Sequence, residues 1–155
     1  MKKKIILLFG VILLCFIGTC VYFVGNISAQ LSPIKKFSYR GDMKELLAKM
    51  KILKTTNPNI KITYGSILGN KFNGFAYDIV LTMKYNSHDL VYDIKLTSKL
   101  EQDSKCELFI IGAHDLTAKK GGYGINAAGM KELLIEFEST VLCPLKDNGI
   151  TLSPL

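Results

Sequence analysis

Met1-Lys2-Lys3-Lys4 is followed by an uncharged, mostly apolar run from Ile5 to Gly25. A stretch of this kind cannot sit in water unless something covers it. As a helix its 21 residues would span a hydrocarbon core of about 30 Å. The sequence therefore predicts an N-terminal membrane helix. The three lysines hold the amino end in the cytoplasm and direct the rest outward. Residues 1–25 are read as a signal-anchor or signal segment in a cytoplasmic membrane, crossed once through residues 5–25.

Three fates fit such a segment. Retention as an anchor is favoured because the run exceeds the roughly 7–15 residues of a cleaved signal core. Cleavage after Ile27-Ser28-Ala29 would release a secreted protein beginning near Gln30. Lipidation at Cys20 is the third, since Ile17-Gly18-Thr19-Cys20 resembles a bacterial lipobox, although Thr19 is bulkier than the usual small residue and an apolar stretch follows.

Residues 26–40, polar and containing Pro33, read as a tether, and 41–155 as a single exported α+β domain. The formal charge is +7; setting aside Lys2, Lys3 and Lys4 leaves 17 basic against 13 acidic residues, a net of +4. That excess is dispersed, which argues against a nucleic-acid partner. Repeats and low-complexity tracts are absent from the sequence.

Beyond the first segment only Cys106 and Cys143 remain. In an oxidising compartment the pair predicts one disulfide closing a loop of 36 intervening residues, worth on the order of 4 kcal/mol in the chain-entropy account. The alternative is two free thiols.

Within the domain, Asp42 and Glu45 have capping-box spacing, and Met43, Leu46, Leu47, Met50 and Leu53 recur at helical spacing. Asn57-Pro58-Asn59 ends this helix. Ile60, Ile62 and Tyr64 then alternate with polar residues, and Gly69-Asn70 reads as a turn. Phe75 to Tyr85 is the longest period-two run; Asn86-Ser87-His88-Asp89 turns it back into Leu90, Tyr92, Ile94 and Leu96. A fourth strand, through Cys106, Leu108 and Ile110, is apolar on both faces and so central or covered. A loop from His114 to Asn126 leads into a second amphipathic helix carrying Met130, Leu133, Leu134, Phe137 and Val141, which Pro144 should stop. Ile150-Thr151-Leu152 adds a short edge strand. The expected fold is α+β: an antiparallel four- or five-stranded sheet with two amphipathic helices packed on one face.

The chemistry-bearing candidates are few. Gly122, Gly124 and Ala127 match a G-x-G-x-x-A spacing before a helix, but a dinucleotide site needs a parallel strand–helix–strand unit that antiparallel strands do not supply. The stretch containing Lys119, Lys120, Gly122, Tyr123, Gly124 and Asn126 is instead read as a binding loop able to contact an anion or a partner. His114-Asp115 reads as a turn pair, and His88 sits in another turn. Cys106 and His114 lie eight residues apart on one extended strand, roughly 26 Å, too far for a nucleophile and its base. No residue set predicts catalysis, a cofactor or a metal site. Tyr64, Tyr77, Tyr85 and Tyr92 are read as core, with an apolar-ligand groove as the rival. Composition alone suggests a bacterial cell envelope. The expected role is a non-catalytic binding or assembly module that contacts another envelope protein through the exposed sheet face or the Lys119–Asn126 loop. The alternatives are a carrier of a lipid or other apolar ligand and a secreted inhibitor or immunity protein.

Overall fold

A computed structural model describes residues 32–70, 74–98 and 105–155. The expected membrane segment, Cys20 and the 26–31 part of the tether lie outside the described residues. Ser32–Leu155 forms one compact unit. Among the described residues no helix is long and apolar enough to cross a membrane.

The unit is α+β, built on an antiparallel sheet of seven strands. In chain order these are β1 (Lys35–Arg40), β2 (Ile60–Asn70), β3 (Gly74–Tyr85), β4 (His88–Ser98), β5 (Lys105–Asp115), β6 (Lys120–Gly122) and β7 (Leu152–Pro154). The spatial order is β2-β3-β4-β5-β1-β7, with β6 also paired to β5. The expected four-strand meander is present, and β5 is central as its two apolar faces required.

Three differences from the sequence reading have clear physical causes. Lys35–Arg40, placed in the tether, is a strand between β5 and β7. Its Phe37 and Tyr39 are buried while Lys36 and Arg40 are exposed, a period-two pattern hidden among basic residues. Gly69 and Asn70 do not turn the chain; they pair with Phe75 and Gly74. Pro144 does not end the helical path. Helix α2 (Met130–Phe137) passes through one wide turn, Glu138–Leu142, into α3 (Cys143–Asp147). In that turn the Cys143 N–H donates to the Glu138 carbonyl, five residues back. Pro144 then falls at the start of α3, where its missing N–H costs little.

Helix α1 (Met43–Thr56) buries Met43, Leu46, Met50 and Leu53. Asp42 caps it by accepting from the Lys44 N–H at 3.1 Å. Glu45 does not complete a reciprocal box; its carboxylate accepts from the Tyr39 hydroxyl at 2.7 Å, joining the helix start to β1. All five apolar residues expected on the second helix are buried, Val141 within the wide turn. They pack with Leu81, Tyr92, Ile94 and Leu108 of the sheet in one core. Tyr92 is fully buried. Its hydroxyl donates to the Leu133 carbonyl at 2.9 Å, and its ring lies 5.0 Å from that of Phe137. Tyr64, Tyr77 and Tyr85 are partly buried against the same core, so the aromatic set serves packing.

The Cys106–Cys143 bridge expected from the sequence is not formed: both cysteines are free, Cys106 buried and Cys143 exposed. Cys106 faces the core from β5, opposite Tyr39, whereas Cys143 opens α3 on the outside.

Candidate functional site

The polar groups that the fold gathers lie where β5 ends, and a bulge sets them up. The register between β4 and β5 shifts between Asp93 and Ile94, which pair with Gly112 and Ile110. Ile111 is the extra residue, and beyond it the side chains of β5 exchange phase. Asp115 therefore turns toward the helix side, while Gly112 and His114 share the other face with Asp93.

His114 and Asp115 are neighbours in sequence, yet they do not act as a pair. Each meets a partner from β4 instead. Asp115 is only 9% exposed. One carboxylate oxygen accepts from His88 Nδ1 at 2.7 Å. The other accepts from the Thr117 and Ala118 N–H groups at 3.0 and 2.9 Å, an Asx turn that reverses the chain. The Ala118 amide is the main cause holding the Asp115 carboxyl below its ordinary value, with His88 adding to it against the opposing effect of burial. The turn is tied to β4 as well. Leu116 N–H donates to the Asp89 carbonyl at 2.9 Å, and Asp89 N–H to the Thr117 hydroxyl at 3.0 Å.

On the other face, His114 Nε2 lies 3.8 Å from the Asp93 carboxylate, and its ring meets that of Tyr123 edge-on at 5.0 Å. Tyr123 crosses Gly112, where an added Cβ would lie 2.7 Å from the tyrosine ring and 2.9 Å from Asp93. The crossing needs a glycine. Hydrogen bonding to the Asp93 carboxylate and then its charge push the Tyr123 phenol above its ordinary value.

The residues expected to form one binding loop are thus divided between two faces. Lys120 opens β6 opposite Asp115. Its stem lies against Gly129, and it lines a cleft of about 220 Å³ with His88, Asp115, Glu132 and Glu136. Gly122 pairs with Ala113, and Tyr123 lies over the opposite face. Lys119, Gly124 and Asn126 are exposed. The G-x-G-x-x-A spacing does not make a phosphate cradle: β6 runs antiparallel to β5, and α2 begins only at Met130 behind Gly129.

In the sequence His88 reads as part of a turn and Asp93 as part of a strand, with no motif to mark a partner for either. Their pairing with Asp115 and His114 follows from cross-strand register and a bulge, neither visible as a motif. Among the described residues no three His, Cys, Asp or Glu side chains are grouped to hold a metal. Burial, with a further contribution from Asp42, pushes the Cys106 thiol up to about 11, so it stays protonated at neutral pH.

Comparison with protein families, with curated proteins and with solved structures found no match.

Proposed function

We propose that this protein is a binding or assembly module held at the outer side of a cytoplasmic membrane through residues 5–25. It engages another envelope protein and carries out no chemistry of its own.

The observation that supports this most is the one-sided covering of the sheet. Helices α1 and α2 bury their apolar residues against one face. Among the described residues no helix lies on the other. That second face carries half-exposed Val91, Phe109 and Ile111 beside Val80, Thr82, Lys84 and Lys95, with ion pairs such as Lys95–Asp78 at 3.9 Å. Its half-exposed Val91, Phe109 and Ile111 would form the apolar centre of a protein contact, and the charged groups its solvent-accessible rim. The loop end flanks it with fixed polar groups, Asp93, His114 and Tyr123. A catalytic reading has less support, because the two His–Asp pairs lie on opposite faces of the sheet and the Cys106 thiol is buried and held protonated.

The test is crosslinking of the full-length protein in cells, followed by affinity purification from solubilised membranes. One recurrent stoichiometric envelope protein is the expected result. A chain recovered alone from the membrane fraction would overturn the reading.

A further inference from the structure

We infer that the partner of the uncovered sheet face is an acidic protein surface: its carboxylates meet the lysines that flank Phe109, and an apolar side chain rests on Phe109 and Ile111. This rests on the protein-binding reading above and adds the chemistry that selects the partner.

Strand register sets the centre of the face. Lys36 of β1 and Lys95 of β4 stand on either side of Phe109 of β5. Both lysines are exposed, and the ring between them is partly buried. Neighbouring strands lie about 4.8 Å apart, so the two lysine stems start about 10 Å apart with the ring between them. The Lys36 ammonium lies 6.0 Å from the ring centroid, where a cation is still drawn to a ring face. A carboxylate arriving on either side of Phe109 therefore meets an ammonium, while an apolar side chain fills the middle.

The two signs of charge are held differently on this face. Its carboxylates among the described residues are Asp78, Asp89, Asp93 and Glu107. Three of them are partly buried and have a partner on the face itself. Asp78 lies 3.9 Å from Lys95, Glu107 lies 3.8 Å from Lys105, and Asp93 lies 3.8 Å from His114 and beside the Tyr123 phenol. The fourth, Asp89, is exposed and stands across from Lys84. The cations are Lys36, Arg40, Lys61, Lys84, Lys95 and Lys105, every one exposed. Among the described residues neither a side-chain carboxylate nor the terminal one lies within 4 Å of Lys36, Arg40 or Lys61. Their neighbours across the sheet are Phe109, Lys105 and Thr82, none of them acidic. The face thus pairs its own carboxylates and turns its surplus positive charge outward. An acidic partner complements that pattern and a basic one is repelled by it, which governs encounter rate and partner choice.

The test uses the full-length chain in cells with a photoreactive residue at Val80. Lys36→Glu with Lys61→Glu reverses two cations that no ion pair of the sheet uses. The yield of the discrete crosslinked protein should fall roughly tenfold. Lys36→Gln with Lys61→Gln, which adds no new repulsion, should give a smaller loss in the same direction. Lys36→Arg with Lys61→Arg should keep the yield, as should Lys44→Glu with Lys51→Glu on the solvent side of α1. The partner peptide joined to position 80, mapped by mass spectrometry, should be rich in Asp and Glu. Parental yield from either the Glu or the Gln pair overturns the acidic assignment and leaves the protein-binding reading standing. An adduct digested by nuclease or by a glycan hydrolase, and not by protease, overturns it in favour of another polyanion. No discrete product from the parent chain overturns both readings.

Discussion

Gly121→Ala tests the turn geometry that positions the whole loop end. Gly121 has φ +93°, and a Cβ there would lie 2.0 Å from the Ala113 carbonyl oxygen. Two costs combine. An L-residue at positive φ costs roughly 1–2 kcal/mol. The clash is with the backbone of the central strand β5, which cannot rotate away, so β6 must peel from it. Losing the short β6 pairing and the Gly121 N–H bond to the Ala128 carbonyl (2.8 Å) adds about 1–2 kcal/mol at the net value of buried hydrogen bonds. The total is roughly 2–4 kcal/mol, a large part of a small domain's stability. With a urea slope of about 1–3 kcal/mol per molar, the midpoint should fall by on the order of 1–2 M. Gly124→Ala is the matched control, because an added Cβ there meets nothing within 4 Å and should shift stability by under about 0.5 kcal/mol. Equilibrium urea denaturation of the two variants beside the parent decides it. Equal midpoints for the two variants would refute the argument.

Removing the Tyr92 hydroxyl (Tyr92→Phe) deletes its buried bond to the Leu133 carbonyl but keeps the ring, so unfolding free energy should drop by about 1 kcal/mol in urea titration; no change would mean that bond is not formed. The Asp115 carboxyl is held below its ordinary value, so its contribution is present above the unfolded carboxylate value, about 3.9, and is lost as pH falls through the lower folded value. Asp115→Asn should therefore flatten the acid side of the thermal-midpoint profile, and a parallel profile would count against it. With both thiols free, a thiol reagent should label exposed Cys143 in the folded protein and buried Cys106 only on unfolding. Failure to label Cys143 until a reductant is added would restore the disulfide expected from cysteine count.

The elements with long, regular periodicity were legible in the sequence. The stripe of α1, the alternation of β3 and β4, and the two apolar faces of β5 each predicted a local structure that packing then kept. What was not legible depends on the rest of the sheet. Lys35–Arg40 alternates correctly, but its basic residues hide a strand that only becomes one by pairing with Leu108 and Leu152 on either side. Lys120-Gly121-Gly122 has poor strand propensity and forms β6 because the Asp115 Asx turn delivers it to an open edge. Pro144 stays within the helical path because the wide turn before it shifts the hydrogen-bond ladder. The site was legible as a loop but not as two faces. His114-Asp115 reads as one pair in sequence, and the Ile111 bulge together with strand alternation separates them.

Whether the uncovered sheet face binds a protein partner can be read by site-resolved photocrosslinking in cells. Val80 lies on that face and Ile52 on the outer side of α1, with nearly equal exposures of 37% and 41%, so a photoreactive residue at either site has similar access to passing proteins. A partner on that face should give one discrete crosslinked protein from position 80 and only diffuse background from position 52. Indistinguishable patterns from the two positions, or a discrete product from 52 alone, would contradict it.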